Sequence, residues 1–137
     1  MQPTIIVLQT AYSAFMMCRG LLQNMGLKEG HDFMLLDEEP EEHLFTAGTR
    51  QLFITGSFCG CDEGVAEMVQ AARDRNPELV TVSFASHEID GPFDQQVRKR
   101  IGMSGQFRKI IEDFQNGTLV RTETNWKPKE TGSYVGL

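Results

Sequence analysis

Two cysteines separated by a single glycine, Cys59 and Cys61, are the side chains of this sequence best suited to redox or metal chemistry. A cysteine thiolate is both a nucleophile and a metal ligand. The pair follows a predicted strand and lies at the carboxyl edge of a predicted sheet, where open α/β folds place their ligands. A disulfide closed across one residue is strained, however, and free cysteines commonly pack as small hydrophobic side chains. The motif therefore indicates either a reactive dithiol or ordinary loop packing.

His87 is the nearest candidate for a further metal ligand, because it follows the next predicted strand and reaches the same edge. Zinc usually takes four nitrogen, sulfur or oxygen ligands, and His87, Cys59 and Cys61 do not complete such a set. We therefore expect no bound metal. No general base, nucleophile and orienting group form a credible set, so the sequence favours a protein that is not an enzyme.

A small-ligand site is a third interpretation, since Thr10 and the loop after the third predicted strand would face each other across a switch point of the sheet. The chain has no GxGxxG motif after its first strand and no Walker lysine, so we expect no cofactor,. A flavodoxin-like domain that binds a small ligand remains an alternative.

Short apolar strands alternate with amphipathic helices along the chain, and this order must position those side chains. Strands are predicted at 4–8, 33–36, 52–55 and 79–84, and helices at 11–25, 37–48, 62–76 and 94–115, the last with a break near Gly102 and Gly105. Continuous apolar strands that alternate with helices pack as a parallel sheet covered on both faces, so the fold class is α/β. We predict a flavodoxin-like or receiver-like three-layer sandwich with a parallel sheet of four to five strands.

Residues at the helix ends support these boundaries. Thr10 is placed to cap the first turn of the first helix, and Gly26 is placed to end it in a left-handed conformation. Asp62 is placed to cap the third helix, before its apolar stripe begins.

The chain is acidic, with a formal net charge of −6 over 137 residues and a pI near 5.0. Nucleic-acid binding needs clustered positive charge, so this balance argues against it. No apolar run approaches the roughly 20 residues that span a bilayer, and the start of the chain lacks the basic region of a secretory signal. Three cysteines are too few for a disulfide framework,. We expect a cytoplasmic domain at 1–117, followed by a polar C-terminal tail at 118–137.

The segment Leu52–Gly64 and the helix after it resemble the centre of a response-regulator receiver domain. In that family a strand delivers the phosphate-accepting aspartate, and a glycine follows at the start of the next helix, which Gly64 matches. The segment 88–94 resembles the part of a receiver that carries a lysine and then Pro-Phe before the last helix, which Pro92–Phe93 match. The resemblance covers residues 52–101, and the order of elements extends it upstream to the first strand.

The departures from the family pattern remove its chemistry. On this alignment Gly56 takes the place of the phosphate-accepting aspartate, and Gln9 and Thr10 replace the acidic pair that holds magnesium. Magnesium needs oxygen ligands, usually carboxylates, which these side chains do not supply. Ala85 falls at the switch hydroxyl, and Gly91 at the lysine. The resemblance therefore implies a pseudo-receiver, a non-phosphorylatable signalling or adaptor domain, with a thiol-dependent redox or metal-binding protein as the alternative.

The connection between the fourth strand and Pro92 is too short for the helix that receivers have there, because only residues 87–91 intervene. The predicted sheet therefore has four strands, or a fifth that is a stub at 87–90.

Charge is unevenly distributed between an acidic block and a basic cluster. The acidic block comprises Asp32, Asp37, Glu38, Glu39, Glu41 and Glu42, and the basic cluster comprises Arg98, Lys99, Arg100, Arg108 and Lys109. These are either solvated faces or docking surfaces, and the basic cluster could meet an acidic partner or a second copy's acidic block. Trp126 either anchors a partner or folds back onto its own domain. The expected partner is a protein, a second copy of this chain included.

Overall fold

A parallel sheet and three α-helices make up the described part of the chain, residues 3–57 and 61–127 of a computed structural model. The strands are β1 (Ile5–Leu8), β2 (Phe33–Leu36), β3 (Gln51–Thr55), β4 (Leu79–Ala85) and β5 (Gln95–Arg98). The helices are α1 (Tyr12–Asn24), α2 (Asp62–Arg75) and α3 (Met103–Asn116). The strand order is β2-β1-β3-β4-β5, and every neighbouring pair is parallel.

The apolar strands form the middle layer of the domain, and helices cover both faces of the sheet. Every residue of β1, β3 and β4 is buried. On one face, Cys18 and Leu22 of α1 and Phe107 and Ile111 of α3 belong to a single apolar cluster with side chains of the strands. On the other face, α2 packs on the sheet together with Ile89 from the β4–β5 connection. The predicted α/β three-layer sandwich is confirmed, with five strands.

The fifth strand is where the prediction from sequence is wrong. The segment predicted as the start of a helix at 94–115 forms β5, and the stub predicted at 87–90 is part of the β4–β5 connection. Val97 is the one buried residue of β5, and a single buried side chain in four residues distinguishes poorly between a strand and a helix,. The predicted break is confirmed, since α3 begins after Gly102, which has a φ of +90°.

Two smaller expectations also need correction. The acidic segment 37–48, all of it described, contains a 3-10 turn at Glu42–Leu44 rather than a helix, because neighbouring carboxylates repel each other on a helix surface. Thr10 does not cap α1; Ala11 is the N-cap residue, and no described side chain bonds to that end of the helix. Gly26 adopts the predicted left-handed conformation, with a φ of +81°.

A buried ion pair ties α2, β4 and the start of β5 together. Arg73 of α2 and Asp94, which precedes β5, lie 3.0 Å apart (Nη1 to Oδ2), and their side chains are 3% and 1% exposed. Arg73 also donates to the hydroxyl of Thr81 on β4 at 3.0 Å, and Asp94 accepts from the Thr81 backbone N–H at 2.8 Å. Each charge therefore has partners besides the other charge, which a buried pair needs to offset its desolvation.

The same pair holds the chain that follows α3. Asp94 Oδ1 accepts from the backbone N–H of Thr122 at 2.7 Å and from its hydroxyl at 2.8 Å. Arg73 donates to the Thr122 carbonyl oxygen at 2.6 Å. The C-terminal segment is therefore fixed at Thr122 by both members of the ion pair.

Further contacts extend this attachment along residues 118–127. Arg121 donates to the carbonyl oxygens of Arg73 and Asn76 at 3.2 and 2.8 Å, where its positive charge meets the carboxyl end of the α2 dipole. Leu119 is buried in the apolar cluster beneath α1 and α3. The described part of the predicted tail, residues 118–127, has no regular secondary structure and packs against the domain.

Replacing Asp94 with alanine should lower the free energy of unfolding by about 3–5 kcal/mol, because the Arg73 guanidinium stays buried without its carboxylate. The measurement is urea unfolding followed by circular dichroism. The matched control is Glu112→Ala, which breaks an exposed pair with Arg108 and should cost about 0.5 kcal/mol or less. A loss for Asp94→Ala no larger than that of the control would contradict the role given to the buried pair.

Candidate functional site

Residues from four strands meet at the carboxyl edge of the sheet. Gln9 follows β1, Gly56 follows β3, Ala85 ends β4 and Lys99 follows β5. Parallel strands end at the same edge, which is where α/β sheets of this kind place their ligands. The geometry of these residues decides what chemistry the edge can perform.

The Gln9 side chain lies across the end of β3. Gln9 is 1% exposed, and its Nε2 donates to the Phe84 carbonyl oxygen on β4 at 3.3 Å. Its Oε1 has no hydrogen-bond partner among the described residues. A Cβ added at Gly56 would lie 2.9 Å from Gln9 Oε1 and 3.1 Å from the Phe84 carbonyl oxygen. The space that a side chain at Gly56 would need is therefore already filled.

Thr10, aligned with the other member of the acidic pair, is exposed. It lines a cavity of about 340 Å³ together with Gln9, Tyr12, Phe15, Met16, Arg19 and Asp37. The Arg19 guanidinium is held by Glu29, with Nε 2.8 Å from the carboxylate. Asp37 supplies the carboxylate in this lining, and a single carboxylate gives a divalent cation little to bind,.

Ala85, aligned with the switch hydroxyl, is buried in the apolar cluster beneath α2. The hydroxyl of Ser83 donates to Gln96 Oε1 at 2.9 Å. The Gln96 side chain also bonds to the backbone N–H and carbonyl oxygen of Ile89. This hydroxyl therefore serves to fix the β4–β5 connection.

Gly91, aligned with the receiver lysine, lies in the β4–β5 connection and packs against α2. A Cβ at this position would be 2.9 Å from the Phe93 ring and 3.1 Å from the Cβ of Ala66. Glycine therefore lets the connection approach the helix closely.

Lys99 is a cation at the carboxyl edge of the sheet, directly after β5. Its Nζ lies 5.5 Å from the centre of the Phe84 ring. Burial lowers the pKa of Lys99, and the nearby Cys18 thiol opposes that shift. From the sequence, Lys99 was identified only as a member of the basic cluster, because the strand that precedes it was predicted as a helix. Recognising 95–98 as a strand would have identified this position.

Asp62, the first residue of α2, accepts hydrogen bonds from two side chains instead of capping the helix. Ser57 Oγ donates to Oδ1 at 2.9 Å, and His87 Nε2 lies 2.7 Å from Oδ2. Cys61 is the N-cap residue, and within the described chain no side chain bonds to that end. The serine and the imidazole both meet the carboxylate, so the histidine is not placed to take a proton from the serine. The three residues do not form a hydrolytic set.

The predicted thiol site falls partly outside the described residues, because Cys59 is not among them. Cys61 is exposed, and His87 is engaged with Asp62. Across residues 3–57 and 61–127, no group of three His, Cys, Asp or Glu side chains is arranged to hold a metal ion. Redox or metal chemistry at Cys59, Cys61 and His87 stays a prediction.

The α3 half of the basic cluster already has partners on its own helix. Arg108 Nε lies 3.0 Å from Glu112, and Lys109 Nζ lies 3.1 Å from Asp113, both with i,i+4 spacing. Such exposed helical pairs contribute about 0.3–0.5 kcal/mol each, so they are weak but sufficient to neutralise the local charge.

The β5 half of the cluster is less committed. Arg98 lies 3.8 Å from Glu88, and Arg100 forms no ion pair with any residue that the structure describes. Arg98 and Arg100 line a groove of about 260 Å³ between β5 and α3. Positive charge without a partner therefore concentrates beside β5.

Trp126 is half-buried against its own domain. It lines a cavity of about 250 Å³ with Asp62, Glu63, Glu88, Asp90 and Lys127. The indole thus lies near the amino end of α2, and the C-terminal segment follows the domain at least as far as this residue.

Comparisons with known proteins bear on the fold. No family model matches the chain, and no curated protein matches it. Among solved structures, the crystal structure of a response regulator from Thermotoga maritima is similar, with a TM-score of 0.60 and 13% sequence identity over 84% of this chain and 99% of that chain. This likeness shows that the chain has a receiver-like fold. Separately, none of the described helices is long and apolar enough to cross a membrane.

Replacing Gly56 with alanine should lower the free energy of unfolding by about 1–3 kcal/mol, because the new methyl group would press on the Gln9 amide and the Phe84 carbonyl. The matched control is Gly105→Ala in α3, where an added Cβ meets nothing within 4 Å and should stabilise by about 0.5–1 kcal/mol. Urea unfolding measures both, and Gln9→Ala should recover part of the Gly56→Ala loss. Stabilisation by Gly56→Ala similar to that of the control would show that the position is open.

Iodoacetamide should modify Cys61 in the folded protein near neutral pH and leave Cys18 unmodified. Cys18 is fully buried, and burial raises the pKa of its thiol to about 12, so little of the reactive thiolate forms. Peptide mass spectrometry of native and urea-unfolded samples makes the comparison, with both thiols expected to react after unfolding. Equal labelling of the two cysteines in the native state would contradict the packing of α1 on the sheet.

Proposed function

We propose that this chain is a non-phosphorylatable receiver-like signalling or adaptor domain that acts through protein contacts. The observation that carries the proposal is the Gln9 amide lying over Gly56, at the position that corresponds to the acceptor aspartate of receivers. The likeness to a solved response regulator supports the fold on which this correspondence rests.

The chemistry of phosphorylation needs groups that the carboxyl edge does not offer. An aspartyl phosphate requires a carboxylate nucleophile, and a magnesium ion neutralises the charge of the transferring phosphoryl group. Gly56 has no side chain, and Gln9 and Thr10 bring no negative charge to a cation. Lys99 supplies a cation at the same edge, but no carboxylate nucleophile stands beside it at the end of β3. The edge retains the position of a phosphorylation site without its reactants.

Exposed side chains beside β5 support action through protein contacts. Ile101 is fully exposed, and Arg98 and Arg100 are exposed on the same segment. Protein interfaces are enriched in arginine and bury apolar side chains at their centres. This composition fits a partner protein with an acidic surface.

A protein partner fits the overall charge better than a nucleic acid does. The formal net charge of −6 repels a phosphate backbone, and the basic residues beside β5 are too few to offset that repulsion. The low cysteine count fits a reducing compartment, so we place the function in the cytoplasm.

A thiol-dependent redox function is the second candidate, favoured by the exposure of Cys61. Asp62 follows Cys61 directly and holds the His87 imidazole, and a histidine close to an exposed thiol can assist its reactions. This candidate depends on the Cys61 thiol at the end of the β3–α2 connection and not on the Gln9–Gly56 contact at its start, so the two functions are tested separately.

Incubation with acetyl phosphate and Mg²⁺ should leave the chain unmodified, because no carboxylate stands at the end of β3. Intact-mass spectrometry of the full chain at neutral pH is the measurement, and a response regulator that has its acceptor aspartate, treated in parallel, is the positive control. An acyl phosphate mapped to any aspartate of this chain by peptide analysis would overturn the proposed function.

A further inference from the structure

The sheet has two edge strands, β2 on one side and β5 on the other. Both are four residues long, and both run in the same direction as the strands between them. An edge strand carries unpaired backbone N–H and C=O groups that can pair with another chain. The two edges therefore have compatible lengths and directions.

The open part of the β2 edge is its carboxyl end. The backbone N–H of Gln9, after β1, donates to the Leu36 carbonyl oxygen at 3.0 Å. In a parallel strand the backbone N–H and C=O groups of successive residues face opposite neighbours, so those of Leu35 face away from β1. The outward-facing carbonyl oxygen of Phe33 is already paired, because it accepts a hydrogen bond from the Gly30 N–H at 2.7 Å. The pairing groups that remain begin at Leu35.

The β5 edge is open in the same region. The Lys99 N–H donates to the Ala85 carbonyl oxygen of β4 at 2.9 Å. By the same alternation the backbone N–H and C=O groups of Val97 face β4, and those of Gln96 and Arg98 face outward. Pairing would bury more apolar surface at β2 than at β5, because Met34 and Leu36 of β2 are only half-buried.

Opposite charges follow these two strands without a break. Asp37, Glu38 and Glu39 continue from β2, and none of them forms an ion pair within the part of the chain that the structure describes. The rest of the acidic run is already engaged, since Glu41 meets His43 and Glu42 meets Arg75.

The positive charges at the end of β5 have few partners. Arg100 lacks an ion-pair partner among residues 3–57 and 61–127, and Arg98 lies a distant 3.8 Å from Glu88. Lys99 rests over the Phe84 ring. Among the described residues, β2 is therefore followed by carboxylates without an ion pair, and β5 ends in arginines that are weakly paired (Arg98) or without an ion pair (Arg100).

From this arrangement we infer that a second copy of the chain adds its β2 edge to the β5 edge in a parallel register. Parallel pairing brings the two carboxyl ends together, so Glu38 and Glu39 of one copy meet Arg98 and Arg100 of the other. Antiparallel pairing would separate these charges by the length of the strands. The inference rests on the proposed function and deepens it, because it names a second copy as a partner that the protein contacts.

The contact is heterologous, since one copy uses β5 and the other uses β2. An associated pair keeps one free β2 edge and one free β5 edge, so association continues as a head-to-tail series unless it closes into a ring. Because exposed charges hold the ends in register, association weakens as salt screens them.

Sedimentation velocity of the full chain, over a range of concentrations and at low and high salt, tests the inference. The wild type should associate beyond a dimer at low salt, and Arg98→Glu with Arg100→Glu should weaken association about tenfold or more, as should Glu38→Lys with Glu39→Lys. A mixture of the two double variants should associate again, because the reversed charges are complementary. The fourfold variant, which has the wild-type net charge, should associate by itself.

The matched control is Glu67→Lys with Glu78→Lys, two exposed positions outside both edges that change the net charge as the acidic double variant does. It should associate like the wild type, and a melting curve confirms that each variant is folded. A monomeric wild type at low salt, or double variants that fail to associate when mixed, would overturn the inference. A monomeric chain that also takes no phosphate would leave the proposed function standing.

Discussion

The position of β5 depends on the buried ion pair between Arg73 and Asp94. A carboxylate that is almost fully buried is stable only where donors surround it, and Asp94 receives them from α2, β4 and the C-terminal segment. β5 begins at the next residue, so its place beside β4 follows from where those donors are. The same contacts fix Thr122, and with it the path of the chain after α3.

The features that bear on function follow from this placement. With β5 held in the sheet, Lys99 arrives at the carboxyl edge, and the outer side of β5 becomes the end of the sheet. The short β4–β5 connection packs closely on α2 through Gly91, and it leaves the β5 edge uncovered by any described helix on that side. The receiver-like fold thus has Lys99 at the carboxyl edge of its sheet and β5 at its outer edge.

Most of the fold could be predicted from the sequence because β1 to β4 are apolar runs and α1 and α2 have clear helical periodicity. β5 could not, since Val97 is its single buried residue and the charges around it suggested a solvated helix. Arg73 and Asp94 were missed for a related reason, because charged residues are usually exposed and their pairing joins distant parts of the chain. Gly56 was identified by alignment, but the Gln9 side chain that fills its space depends on a contact across the sheet.

The proposed function requires that the carboxyl edge has the position of a phosphorylation site without the groups that bind its metal. The most direct measurement is a titration of the labelled chain with Mg²⁺, followed by NMR at the backbone amides of Thr10, Gly56 and Lys99. We expect no saturable shift at these amides, because Gln9 and Thr10 are neutral and the single carboxylate of Asp37 gives a divalent cation little to bind,. Saturable shifts at Thr10 and Gly56 would contradict it, since they would show a cation bound where receivers hold theirs.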